Sequence, residues 1–190
     1  MIEVVKIKCD LANENCYFVI KNNKAIIIDP GSNFEDMSLL IKNRKLDIEA
    51  ILLTHGHFDH IMSCKKLQDL GFKVYISVDD SIMCSNNELN FAKTSSCDIE
   101  IFSPDYLIQN NENELNFPSF MVKVLHVPGH SLGGLAYIIN NNLFSGDTLF
   151  DHGYGRTDLY GGNFRDILKS IKILRAYTKN GYELYPGHDY

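Results

Sequence analysis

Thr54-His55-Gly56-His57-Phe58-Asp59-His60 follows directly on the apolar run Ala50-Ile51-Leu52-Leu53. A short apolar run bounded by polar residues predicts a buried strand over Glu49 to Thr54. Alternate residues of an extended segment point the same way, so His55 and His57 can approach one ion together. Asp59 and His60 come as the chain turns into a helix, where they can face a second ion. Imidazole nitrogen with carboxylate oxygen is the donor set expected for zinc or another first-row divalent metal.

Further along the chain, three residues stand in matching contexts. His130 sits in Val127-Pro128-Gly129-His130-Ser131, Asp147 in Phe144-Ser145-Gly146-Asp147-Thr148, and His188 in Tyr185-Pro186-Gly187-His188. Each is a metal-type side chain just past an apolar strand, beside a glycine that permits close approach. One such residue alone is more often a hydrogen-bonded turn residue. With the first cluster they read as parts of one site.

The segments between these motifs alternate strand and helix. Short β-type segments are predicted over Glu3 to Lys8, Tyr17 to Lys21 and Ala25 to Asp29, the last two joined by an Asn-Asn turn. Phe34, Met37, Leu40 and Ile41 at helical spacing predict a helix over Phe34 to Arg44, and Ile61 to Leu70 a second closed by Gly71. Lys73 to Ser77 reads as a strand. The Asn- and Glu-rich stretch from Asp79 to Pro118 reads as a helix with variable loops. Strand character returns over Phe120 to Val127, Leu135 to Ile139 and Leu143 to Ser145, the last two flanking an Asn-rich hairpin turn. An amphipathic helix is predicted from Asn163 to Tyr177 and a final strand over Glu183 to Tyr185. The mixture is α/β, and its strand-to-loop junctions carry the polar residues of interest.

A chain of 190 residues suits one domain, and 45% hydrophobic with 22% charged residues is enough to build its core. That composition excludes a disordered tail or a disulfide-stapled mini-protein. A formal net charge of −6 gives no global attraction to phosphate backbones, so no nucleic-acid partner is expected. The N-terminus lacks signal-peptide character and the apolar runs are strand length, which predicts a cytoplasmic protein without a membrane partner. Cys9, Cys16, Cys64, Cys84 and Cys97 are odd in number and show no C-x-x-C spacing, as expected of idle thiols in a reducing compartment.

Taken in order, H-x-H-x-D-H, His130, Asp147 and His188 resemble the metallo-β-lactamase superfamily across essentially the whole chain. THGHFDH, HVPGHS, FSGDTLF, GRTD and YPGH are most similar to its glyoxalase II-like branch. The resemblance implies a four-layer αβ/βα sandwich over residues 1–190, with two divalent metal ions at one edge, zinc first and iron or manganese as alternatives. His55, His57 and His130 would hold one ion, Asp59, His60 and His188 the other, and Asp147 would bridge them. Asp29 matches an early strand-end Asp that supports ligands rather than binding metal. Asp158 is a candidate partner for a ligating histidine, Arg156 for an anionic substrate or a surface ion pair, and His152 for the pocket wall. His126 has no ligand slot and reads as structural. The glutathione-binding helical domain of glyoxalase II proper would follow the last metal histidine, and only Asp189 and Tyr190 do so here.

The implied activity is hydrolysis of a small-molecule acyl-thiol or related activated ester. Two ions about 3.5–4 Å apart would share a bridging hydroxide, oriented by Asp59 and Asp147 as catalytic carboxylates. An alternative is a persulfide dioxygenase resembling the oxidative branch that also carries GRTD, with one iron on His55, His130 and Asp147, a set suited to non-haem iron. A non-catalytic metal-binding module is the remaining class. Seven ligands argue against it, because structural zinc sites close with four.

Overall fold

Tyr17 to Ile20 send successive side chains into two different cores: Phe18 and Ile20 into one, Tyr17 and Val19 into the other. The same alternation separates Ile27 from Ile26 and Ile28, and Ile51 from Ala50 and Leu52. Strands buried on both faces must lie between two apolar layers. The computed structural model describes residues 1–189.

The first sheet has six strands in sequence order: β1 (Glu3–Lys8), β2 (Asn15–Lys21), β3 (Lys24–Ile28), β4 (Asp47–Leu52), β5 (Val74–Ser77) and β6 (Tyr106–Ile108). Pairing is antiparallel through β1-β2-β3 and parallel from β3 to β6. The second sheet takes β7 (Glu114–Asn116), β8 (Met121–His126), β9 (Leu135–Ile139), β10 (Asn142–Gly146) and β11 (Glu183–Pro186) in the order β11-β10-β9-β8-β7. Only β10-β11 is parallel there.

Between the sheets lies a core of residues such as Val19, Ile28 and Leu52 against Val124, Tyr137 and Phe144. On the outer face of the first sheet, α1 (Phe34–Arg44) and α3 (Cys64–Asp69) contribute Met37 and Leu67 to a second core. On the far side α4 (Phe164–Lys179) lays Ile167, Ile171 and Leu174 over the second sheet. Asn163 starts α4 by accepting the backbone N–H groups of Arg165 and Asp166 at 2.9 and 3.2 Å. Helix, sheet, sheet, helix is the four-layer αβ/βα sandwich expected from the sequence. Among the described residues no helix is long and apolar enough to cross a membrane.

Two predicted elements differ. The helix expected over Ile61 to Leu70 is broken into α2 (Phe58–Ile61) and α3. Ser63 explains the break: its N–H donates to the Pro30 carbonyl at 3.0 Å and its hydroxyl to the Gly31 carbonyl at 2.5 Å, so it leaves the helical ladder. The stretch from Asp79 to Pro118 holds no α-helix, only a 3-10 turn over Ser81–Ser85 and the strands β6 and β7. Those strands are three residues each and take their hydrogen bonds from β5, some thirty residues earlier, and from the hairpin partner β8. The five cysteines are free, four of them buried.

Candidate metal centre

The polar residues gather where β4, β8, β10 and β11 end. Past β4 the chain bends at Thr54, is extended at His57 (φ −70, ψ 149), then turns into α2, which carries Asp59 and His60. Gly129 (φ +132) sets the turn that presents His130, and a methyl group there would collide with the Ile167 backbone of α4. Asp147 follows Gly146 at the end of β10. His188 is steadied from the other sheet: Asn15 N–H donates to the Gly187 carbonyl at 2.8 Å, and the Tyr17 hydroxyl to the Pro186 carbonyl at 2.6 Å.

Donor atoms of His55, His57 and His130 lie within 4.8 Å of one another, as do those of Asp59, His60 and His188. Asp147 stands between the two groups. Its Oδ2 is 3.5 Å from His130 Nε2 and 3.4 Å from His188 Nε2, and its Oδ1 is 3.4 Å from His60 Nε2. His188 Nε2 is also 3.4 Å from Asp59 Oδ2. Donors 2.0–2.2 Å from one tetrahedral ion sit about 3.3–3.6 Å apart, so these spacings suit metal coordination.

The ring orientations agree. His60 Nδ1 donates to Asp29 Oδ2 at 3.0 Å, His130 Nδ1 to the Arg156 carbonyl at 2.7 Å, and His55 Nδ1 to Thr54 Oγ1 at 3.0 Å. Thr54 is itself locked, its hydroxyl donating to Asp29 Oδ2 at 2.6 Å and its N–H to Asp29 Oδ1 at 2.7 Å. Holding Nδ1 on the protein side leaves Nε2 as the ring nitrogen that faces inward. His55 Nε2 is buried with no hydrogen-bond partner among the described residues. A buried polar atom in that state is costly, and a cation satisfies it.

Electrostatically the two groups are opposites. Burial, reinforced by the neighbouring histidines, lowers His55, and it lowers His57 to about 3. Burial also lowers His130, outweighing Asp147. His60 is buried too, yet Asp147, Asp59 and Asp29 hold it well above the usual imidazole range. For His188 burial is again overcome, here by hydrogen bonds to Asp147 and Asp59, and it rises to about 9. Asp147 stays well below the usual carboxylate range despite its burial, because His60, His188 and His130 surround it.

With this geometry, residues 10–188 match the metallo-beta-lactamase superfamily. The chain belongs to that superfamily. Membership implies divalent metal ions, which the histidine clusters suit, and makes the chain a metal-dependent hydrolase of the superfamily. It is 30% identical to the hydroxyacylglutathione hydrolase GloC of Haemophilus influenzae, over 92% of this chain and 85% of that protein. The crystal structure of BLEG-1 B3 metallo-beta-lactamase superposes with TM-score 0.90 at 32% identity, covering 99% of this chain and 92% of that one. TTHA1623 in a di-iron-bound form gives 0.85 at 31% identity, covering 98% and 92%.

All seven ligand-type residues expected from the sequence therefore meet at one edge, with Asp29 behind His60. His152 lines the cleft over the site, and His126 is structural, its Nε2 bonded to the Glu112 carbonyl at 3.0 Å. Asp158 stands differently from expectation: among the described residues its hydrogen bonds go to Arg156, in an exposed two-pronged ion pair at 2.7 Å, and it is the Arg156 carbonyl that holds His130. Arg156 lines the cleft with its charge already matched.

Asp80 was not singled out by the sequence. Buried after β5, it accepts the Ser131 hydroxyl and the Gly133 N–H, both at 2.6 Å, and the Gly56 N–H. It thus ties the loop of His55 and His57 to the loop of His130. The signal was its place: the end of a strand parallel and next to β4 opens on the same sheet edge.

Proposed function

We propose that the chain is a binuclear thioester hydrolase acting on a small acyl-thiol, with His55, His57 and His130 holding one divalent ion and Asp59, His60 and His188 the other. Asp147 is shared, and its position between His130 Nε2 and His188 Nε2 is the observation that carries the reading. Zinc suits the nitrogen-rich donors, and iron and manganese suit the carboxylates equally. The similarity to a hydroxyacylglutathione hydrolase and to a di-iron protein supports both parts of the reading.

Divalent ions bound there supply Lewis acidity and water ionised at neutral pH. The chain supplies the rest. Asp59 and Asp147, kept anionic by the histidines around them, accept hydrogen bonds from the attacking water and set its direction. A cleft of about 480 Å³ opens above them, walled by Phe58, Phe91 and Phe150, which hold the acyl group and exclude bulk water. A C–O bond forms to the thioester carbon and the C–S bond breaks. The thiolate leaves with the electron pair, so no residue has to donate a proton to it. The water loses one proton on ionising and the acid product a second, and the released thiolate takes one back from solvent, leaving one proton released net.

Metal analysis of the purified protein, combined with a panel of S-acyl thiols and a persulfide under oxygen, tests this. Two ions per chain with thioester cleavage, lost to background in Asp147→Ala at unchanged circular dichroism, is the expected result. One iron per chain with oxygen uptake on the persulfide overturns it, as does full thioester turnover by Asp147→Ala.

A further inference from the structure

Phe91 is a bulky residue in the left-handed backbone region, at φ 73. That conformation is an outlier for an aromatic side chain and persists only where surrounding structure enforces it. The enforcement comes from Asn90, which is fully buried. Its Nδ2 donates to the Met83 carbonyl at 2.9 Å and to Asn87 Oδ1 at 3.1 Å, while its Oδ1 accepts the Ala92 N–H at 2.9 Å. The Asn90 carbonyl also accepts the Phe58 N–H at 2.9 Å, which binds this loop to the first residue of α2.

The strained backbone turns the Phe91 ring into the cleft, edge-on to His57 with centroids 6.0 Å apart. Phe150 mirrors it, edge-on to His188 at 6.0 Å. One aromatic ring therefore stands over each of the two ligand groups, and both line the space above Asp147. Arg156, the arginine that lines the cleft, has its guanidinium paired with both oxygens of Asp158.

The geometry points to Phe91 as a specificity-determining residue, whose ring selects thioesters with an apolar acyl group of aryl or medium-chain size. The inference rests on the proposed thioester reaction and adds the class of acyl group. The ring contacts the acyl tail while the reacting carbon lies over Asp147.

Phe91→Gly is the informative variant, because glycine is at home at φ 73 and the loop keeps its course. With N-acetylcysteamine as the common thiol, the ratio of kcat/KM for the S-phenylacetyl over the S-acetyl ester is expected to fall about tenfold, the scale of a hydrophobic pocket contact, with the change in KM. Phe91→Tyr, which keeps the ring, is expected to retain the wild-type ratio. Calorimetric binding of phenylacetate against acetate to the metal-loaded protein reads the same contact without turnover. If the wild type cleaves no thioester, the reaction reading fails, while phenylacetate binding about tenfold weaker in Phe91→Gly still supports the apolar subsite. An unchanged ratio with unchanged phenylacetate binding overturns the inference. So does a loss of bound metal in Phe91→Gly, which would make the ring a packing element under His57.

Discussion

The Asp80 carboxylate accepts the Ser131 hydroxyl at 2.6 Å, one residue beyond the histidine that meets His57 at 2.9 Å. A buried carboxylate with three donors thus fixes how far apart two site loops stand. Asp80→Ala leaves the Gly56 and Gly133 N–H groups and the Ser131 hydroxyl without their acceptor. A loss of about 2–4 kcal/mol of stability is expected, because removing a charged acceptor strands buried donors. Metal affinity is expected to fall about 10- to 100-fold, the usual effect of disturbing groups behind ligands. Urea unfolding of the metal-free protein and metal titration check the two parts separately.

Asp29 acts on one histidine more than the others. Because Asp29 Oδ2 accepts a hydrogen bond from His60 Nδ1–H at 3.0 Å, Asp29→Asn removes the carboxylate that orients the ring. The second ion is expected to bind about 10- to 100-fold more weakly. A comparably weakened first ion would contradict this, and competition with a chromophoric chelator distinguishes the two.

Metal loading should be staggered by pH. His60 and His188 carry protons that an incoming ion must displace, whereas His55, His57 and His130 are already neutral at pH 7. Affinity of the second group therefore rises as pH climbs toward about 9, by up to about tenfold per unit for each proton released. At pH 6 one ion is expected to bind well before the other, and by pH 8.5 the gap narrows. Calorimetry in buffers of different ionisation enthalpy counts the protons.

The metal-free protein should respond to pH in the opposite sense. His188 is raised from 6.5 to about 9 by folding, so its contribution to stability is complete below pH 6.5 and is lost as pH rises through 9. Urea midpoints measured in chelator are expected to decline across that window. Asp189, lowered to about 2 by Asn15, Lys8 and Lys6 against its modest burial, contributes above pH 3.8 and fades only in stronger acid.

Gly187 has no room for a side chain: a methyl group there would collide with Asp147 Oδ1 and His60 Cε1. Gly187→Ala is expected to displace the Asp147 carboxylate, and if that carboxylate is shared as proposed, metal content falls to one ion or none with a folded circular dichroism spectrum. Two ions retained at wild-type affinity would show that Asp147 tolerates displacement.

The individual strands were legible because they are apolar and short, their stacking into four layers only through the family resemblance, and the seven ligand-type residues because strand-end histidines and carboxylates in one order have few other uses. What escaped is non-local. Ser63 breaks a helix through hydrogen bonds to Pro30 and Gly31, residues far away in sequence. β6 is a three-residue Tyr-Leu-Ile strand set by pairing with β5 some thirty residues earlier, and β7, Glu-Leu-Asn, has little strand preference and is held by its hairpin with β8. Asp158 was given a role that a backbone carbonyl performs, and carbonyls carry no sequence signal. Asp80 and Phe91 matter through where the loops bring them, which local pattern does not encode.

His55 to His60 leave one sheet while His130, Asp147 and His188 leave the other. The donors consequently converge only where the two halves dock. Divalent ions held there as proposed are expected to slow unfolding more than they speed refolding, as interactions absent from the folding transition state do. With the metal centre filled as proposed, the lifetime of the protein in a cell is expected to follow its metal supply, so that metal starvation shows itself as faster turnover of the protein.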